Sequence, residues 1–107
     1  MEIKQYQIVL VRLVTATGDK SERRITCIVI SPDEMNKHLR TVVVAPLKPD
    51  STAYPTRPKV SHDNRTDRVV LDQITTIEKE RIAEAGEELS RAEIKKIKAV
   101  LKEIYVD

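Results

Sequence analysis

The sequence contains no phenylalanine and no tryptophan, and it has only three tyrosines, two glycines and one cysteine in 107 residues. Without large aromatics the core has to be packed from Val, Ile, Leu and Ala, and runs of β-branched residues favour strands. A lone Cys27 cannot close an internal disulfide. It lies in the apolar run Ile25-Thr26-Cys27-Ile28-Val29-Ile30, where a buried, unreactive thiol is expected. Gly18 and Gly86 do not form a glycine cluster between a strand and a helix, so nucleotide binding through the usual phosphate loops is not expected. His38 and His62 have neither a Cys nor a nearby His, which argues against a structural zinc site and leaves both as surface histidines. None of the serines sits in a nucleophile elbow. No metal or other cofactor is therefore expected. No stretch approaches the roughly 20 apolar residues that span a bilayer, and Glu2 and Lys4 stand where a secretory signal needs apolar residues. The expectation is a cytoplasmic protein with no membrane partner.

What is present is a balanced charge: 19 basic and 17 acidic residues, a formal net charge of +2. That total does not by itself indicate nucleic-acid binding. The distribution is uneven. Lys20, Arg23, Arg24, Lys48, Arg57, Lys59, Arg65 and Arg68 precede a last third in which many acids fall between Glu78 and Glu103. A basic face on one side of the fold is compatible with this asymmetry, as is an ordinary mixed-charge surface.

The length suits one domain with one core, and no linker or repeat divides it. Strands are predicted over Gln5–Leu13, Arg24–Ile30 and Thr41–Leu47, with a loop at Thr17–Ser21. Between the second and third, Ser31-Pro32-Asp33-Glu34 reads as a helix start, with Ser31 as N-cap, Pro32 at the first helical position and Glu34 closing a capping box. That short helix runs through His38. The prolines at 46, 49, 55 and 58 make Lys48–Thr56 a surface loop and Arg57–Ser61 a short edge strand at best. His62–Asp67 reads as a turn, and Arg68–Thr75 as the last main strand. Ser90-Arg91-Ala92-Glu93 is a second capping box. The helix it opens carries Ile94, Ile97, Leu101, Ile104 and Tyr105 on one apolar face.

Five segments occur in a fixed order: Ile3-Lys4-Gln5-Tyr6, Ile28-Val29-Ile30-Ser31-Pro32-Asp33-Glu34-Met35-Asn36, Thr41-Val42-Val43-Val44-Ala45-Pro46, Tyr54-Pro55-Thr56-Arg57 and Val70-Leu71-Asp72-Gln73-Ile74. In this the chain resembles the MazF/PemK toxins of type II toxin–antitoxin systems over nearly its whole length. The resemblance implies a mainly β fold, a small SH3-like barrel with a short connecting helix and a C-terminal amphipathic helix, spanning residues 1–107 as one domain. It also implies a homodimer, a cognate antitoxin as partner, and metal-independent cleavage of single-stranded RNA by attack of the 2′-hydroxyl on the adjacent phosphorus. Such chemistry needs a proton acceptor, a proton donor to the leaving 5′ oxygen, and cations or amides at the developing charge. DNA lacks the required hydroxyl.

The chain departs from the family pattern at three polar positions. Where the family has an Arg-Pro-Cys start to its second strand, ungapped register places Ile25 at the arginine and Thr26 at the proline. A family threonine after the Ala-Pro pair corresponds to Lys48, and an arginine after Asp-Gln-Ile corresponds to Thr75. Asp72, Gln73 and Arg57 are retained. Two readings follow. In the first, Arg24 and Lys48 supply the cations with Asp72 as the third catalytic candidate, while Arg23, Arg57, Gln73 and Thr75 contact RNA; a bulge or a slip is then needed to bring Arg24 to the face of Ile25. In the second, the nuclease is weakened or lost, leaving a dimeric antitoxin-binding protein. Asp72 beside Val69-Val70-Leu71 has either to face water or to find a partner.

Overall fold

The computed structural model describes residues 2–13, 23–49, 56–62 and 65–106. Within them the chain is mainly β, with a short connecting helix and a C-terminal amphipathic helix. Strands β1 (Gln7–Leu13), β2 (Arg23–Val29) and β3 (Thr41–Pro49) are the aliphatic runs. Strands β4 (Lys59–His62), β5 (Arg65–Val69), β6 (Thr75–Glu78) and β7 (Ile82–Glu88) follow, with helix α1 (Asp33–His38) before β3 and α2 (Arg91–Tyr105) at the end. All pairings are antiparallel, in the order β4-β5-β3-β2-β1-β7, and β6 pairs with β3 on the edge that also carries β5, across β3 from β2. The predicted loop at Thr17–Ser21 lies outside the described residues, as do residues 50–55 of the predicted proline-rich loop.

The sheet buries apolar side chains on both faces, because adjacent residues of its central strands, such as Ile28 and Val29 or Val44 and Ala45, enter different cores. One core gathers Val9, Val11, Cys27, Val29, Val42, Val44 and Ile82. The other gathers Tyr6, Ile28, Ala45, Val60, Val69, Leu71, Leu89 and Ile97 under helix α2. Burial pushes the Cys27 thiol up to about 12, so it stays a neutral apolar group.

The structure differs from the sequence reading in several places. Lys48 and Pro49, read as the start of a surface loop, instead end β3 and pair with Arg68 and Asp67 of β5. Strand β1 begins two residues late because Gln5 and Tyr6 form a turn, in which Tyr6 adopts the left-handed region at φ 64°. Its nearly buried ring and two backbone bonds, Tyr6 N to Val29 O at 2.7 Å and Leu89 N to Tyr6 O at 3.0 Å, hold that conformation. Ser31 does not cap α1: its Oγ instead accepts from Val43 N at 3.0 Å and donates to Asn36 Oδ1 at 2.6 Å, tying the helix to β3. The predicted turn at His62–Asp67 is a hairpin whose arms are already strand at His62 and Arg65, residues 63–64 being outside the described set. His62, read as a surface residue, is largely buried, its Nε2 lying 2.7 Å from Asp67 Oδ2. Finally, the predicted strand Arg68–Thr75 is broken. β5 ends at Val69, a 3-10 turn at Leu71–Gln73 redirects the chain, and β6 and β7 follow. Nothing in Ala83-Glu84-Ala85 favours a strand locally; pairing with β1 imposes it.

The Ser90 capping box is present as predicted, with Glu93 N to Ser90 Oγ at 3.2 Å and Ser90 N to Glu93 Oε1 at 3.0 Å. Glu93 also accepts from Ser61 N at 2.7 Å, so the cap locks α2 to edge strand β4. Partial burial alone would push the Glu93 carboxyl up, but the Ser61 and Ser90 hydrogen bonds and the nearby Lys96 hold it below the usual range. A carboxylate with a lowered folded-state pKa contributes stability above its unfolded value, and that contribution is lost as pH falls through the folded value. Glu93→Gln is therefore expected to cost about 1 kcal/mol at neutral pH, a typical capping contribution. Thermal midpoints of the two proteins should converge at strongly acid pH; a gap that stays constant with pH would contradict the assignment.

Candidate functional site

The 3-10 turn after β5 exposes Asp72 and Gln73 while burying Leu71. The carboxylate of Asp72 meets the segment leading into β4. Arg57 donates through Nε to Oδ1 at 3.1 Å and through Nη2 to Oδ2 at 3.2 Å, a two-point fork, and Thr56 Oγ1 lies 3.2 Å from Oδ1. The Arg57 hydrogen bonds hold the Asp72 carboxyl below the usual carboxylate range, with the Arg57 charge and Thr56 adding to the effect. The turn is braced from behind by Tyr105 of α2, whose hydroxyl donates to Leu71 O at 2.7 Å. Arg68 of β5 donates to Arg57 O at 2.8 Å and so fixes the backbone that carries the guanidinium. Thr56 and Arg68 were not among the site residues read from sequence. Thr56 lay within the Tyr54-Pro55-Thr56-Arg57 segment; Arg68 is linked to Arg57 only by the pairing of β4 with β5, for which the sequence carries no local signal.

Strand alternation decides which other candidates can act together. In β2 the register against β1 runs without a shift from Ile28 to Arg23. Ile25 therefore shares the face of Cys27 and Val29 and packs against their core. Arg24 is exposed on the other face, with Thr26 and Ile28; no bulge brings it round. Arg23, two residues from Ile25, is the arginine on Ile25's own face, and it too is exposed. Thr75 opposes Val44, and Val44 opposes Val29, which places Thr75 on this same face. Lys48 opposes Arg68, while its neighbour Leu47 points into the α2 core, so Lys48 also belongs here. The three positions at which the chain departs from the toxin pattern, Ile25, Lys48 and Thr75, thus share one face of the sheet, and Arg24 does not.

A cavity of about 640 Å³ lies elsewhere, between the end of α1 and β6, lined by Lys37, His38, Arg40, Glu78, Lys79 and Glu80. Both charge signs are represented there, and none of the candidate residues lines it. No group of three His, Cys, Asp or Glu side chains converges among the described residues, and no helix described is long and apolar enough to cross a membrane.

A small curled antiparallel sheet closed by a C-terminal helix, with an arginine–carboxylate fork at the turn after its fifth strand, defines the fold class. Residues 4–105 match the family of PemK-like, MazF-like toxins of type II toxin–antitoxin systems, and the chain belongs to that family. Among solved structures it is similar to an endoribonuclease from a mycobacterial species, at 21% identity and a TM-score of 0.78 over 96% of this chain and 90% of the other. A mycobacterial endoribonuclease in complex with its cognate antitoxin gives 22% identity and a TM-score of 0.76, covering 94% and 92%. The MazE–MazF crystal structure from Deinococcus radiodurans gives 16% identity and a TM-score of 0.83, covering 97% and 96%. No curated protein matches the chain.

Proposed function

We propose that the protein is the toxin of a toxin–antitoxin pair and a metal-independent endoribonuclease that cuts single-stranded RNA by 2′-hydroxyl attack. In this reading it is a cytoplasmic homodimer, held inactive by its cognate antitoxin. The observation that carries the reading is the Arg57–Asp72 fork, retained with Gln73 at an exposed turn of a chain in the toxin family. In the reaction the 2′ oxygen forms a bond to phosphorus, the bond from phosphorus to the 5′ oxygen breaks, the 2′-hydroxyl loses its proton and the leaving oxygen gains one. The products are a 2′,3′-cyclic phosphate and a 5′-hydroxyl.

In this reading the two members of the fork have different tasks, because the two-point guanidinium contact occupies both carboxylate oxygens of Asp72. A carboxylate stabilised by a two-point guanidinium contact is a weak proton acceptor. Asp72 is a positioning residue that holds Arg57, and Arg57 is the cation offered to the phosphate. In this reading Arg23, on the face of Ile25, and Lys48 supply further positive charge, and Gln73 and Thr75 contact the nucleotide. The packing of Ile25 against the core supports a reduced rate, because no charge stands where the family has arginine. A weakened nuclease that still binds its antitoxin is the second reading on that ground.

The test is cleavage of a mixed RNA pool in chelator, read by cyclic-phosphate ends. Arg57→Ala is expected to lower the rate by ~10²–10³, the usual effect of removing one charge-stabilising donor. Asp72→Asn should lower it as well while changing stability by less than about 1 kcal/mol, as for a partly exposed ion pair at the surface. If both variants cut like the natural chain, the fork is not the site. RNA left intact by a folded dimer that binds an acidic antitoxin would leave only the second reading.

A further inference from the structure

The register of the three strands at the β4 end of the sheet places three cations side by side. Lys48 of β3 lies directly opposite Arg68 of β5, and Arg68 lies directly opposite Lys59 of β4. Neighbouring strands are about 4.8 Å apart, so the row spans about 10 Å. The next rung on the same face is Ser61 opposite Thr66, both exposed hydroxyls. The one acid in β3, β4 and β5, Asp67, alternates to the other face and is buried against His62. The row is joined to the Arg57–Asp72 fork through the hydrogen bond from Arg68 to Arg57 O.

We propose that Lys48, Arg68 and Lys59 form a phosphate-binding rung that holds the backbone of single-stranded RNA beside the Arg57–Asp72 fork. The proposal rests on the reading of the protein as one that acts on RNA. It adds a binding element on β4 and β5, away from the three positions where the chain departs from the family pattern except at Lys48. The chemistry of the surface favours a nucleic-acid backbone over an acidic protein. Protein interfaces are anchored by buried aromatic and aliphatic side chains, and the exposed large apolar residues of the described chain are Met35, Leu39, Tyr105 and Val106, none of them on these strands. Closely spaced cations flanked by hydroxyls suit phosphate oxygens and ribose.

The experiment measures binding without cleavage, using a fluorescent single-stranded RNA with 2′-O-methyl groups on every ribose, titrated by anisotropy over a salt series. Each phosphate contact on a single strand contributes about 0.7 to the slope of log K against log salt. Lys59→Gln should therefore reduce the slope by about 0.7, and Lys48→Gln with Lys59→Gln by about 1.4. Lys95→Gln with Lys98→Gln, on the exposed side of α2, should leave it unchanged. Circular dichroism and thermal melting confirm that each rung variant is folded before its slope is read. An unchanged slope in the double variant, or an equal loss in the α2 control, would overturn the proposal. So would a rung that holds a polyglutamate peptide and not the methylated RNA. Cleavage of unmodified RNA is scored separately. Intact RNA with the expected slopes removes the nuclease and keeps the rung; brisk cleavage with unchanged slopes removes the rung and keeps the nuclease.

Discussion

Ile25→Arg is expected to raise the rate of RNA cleavage by ~10²–10³, the size of effect that one preorganised donor to a developing phosphorane charge supplies. The position is suited to the change. Ile25 shares a face with Lys48, Thr75 and Arg23, and it is only partly buried, next to the exposed start of β2. A guanidinium there can lay its methylene stem over the core and carry its charge to water or to phosphate. The lost packing is on the order of 1 kcal/mol for a half-buried aliphatic side chain, small enough for the variant to fold. Thr26 is best left in place, because it pairs with Leu10 inside the β1–β2 ladder and proline would remove a donor from that strand. Initial rates in chelator decide the matter, with Arg23→Ala and Arg24→Ala measured alongside. Arg23→Ala should slow the natural chain more than Arg24→Ala, since Arg24 faces away. A natural chain that already cuts briskly and loses that activity only in Arg24→Ala would refute the face assignment.

Ile97→Ala should lower folding stability by about 2–5 kcal/mol, the range for truncating a fully buried aliphatic side chain. Ile97 has no exposed surface and is the one α2 residue wholly within the second core, against Ile28, Val60, Val69 and Leu71. Total stabilities of small domains are only about 5–15 kcal/mol, so the loss is a large part of the whole. The effect should reach the site, because α2 is also held at its two ends: Glu93 to Ser61 at the edge strand, and Tyr105 to Leu71 O behind the Asp72 turn. Urea denaturation gives the stability. A loss below about 1 kcal/mol would mean that these polar ties, each typically worth about that much, dock the helix without its apolar stripe.

The elements whose signals are local were legible in the sequence. The aliphatic runs that became β1, β2 and β3 needed no partner to be recognised, because a continuous β-branched run admits few other conformations. The α2 capping box was equally plain, since Ser90 and Glu93 satisfy donors within one turn of each other. The same four-residue logic gave the wrong role to Ser31. Its hydroxyl had a second acceptor and a donor available in Asn36 and Val43, and the second lies on another strand. Strand β7 was invisible for a related reason: Ala and Glu carry no β preference, and only the open edge of β1 makes Ile82–Glu88 extended. His62 and Asp67 read as turn residues because polar residues in series resemble a loop. Their mutual hydrogen bond, which lets Asp67 be buried and His62 largely so, exists only once the hairpin closes.

The candidate site divides along the same line. Composition and segment order determined the class of fold, the family resemblance and the identities of Arg57, Asp72 and Gln73, because residue type and order along the chain are all that such patterns require. Which cation accompanies them was decided by the sheet. A strand alternates its side chains between two faces, and one residue of register moves a side chain from one to the other. Adjacent arginines at 23 and 24 are therefore indistinguishable in sequence and lie on opposite faces in the fold. Likewise Lys48, Arg68 and Lys59 are far apart in the chain, and only antiparallel pairing of three strands sets them in a row. The sequence by itself fixes which charges exist and where strands form; which charges meet is a property of strand register, which the tertiary packing of two cores alone selects.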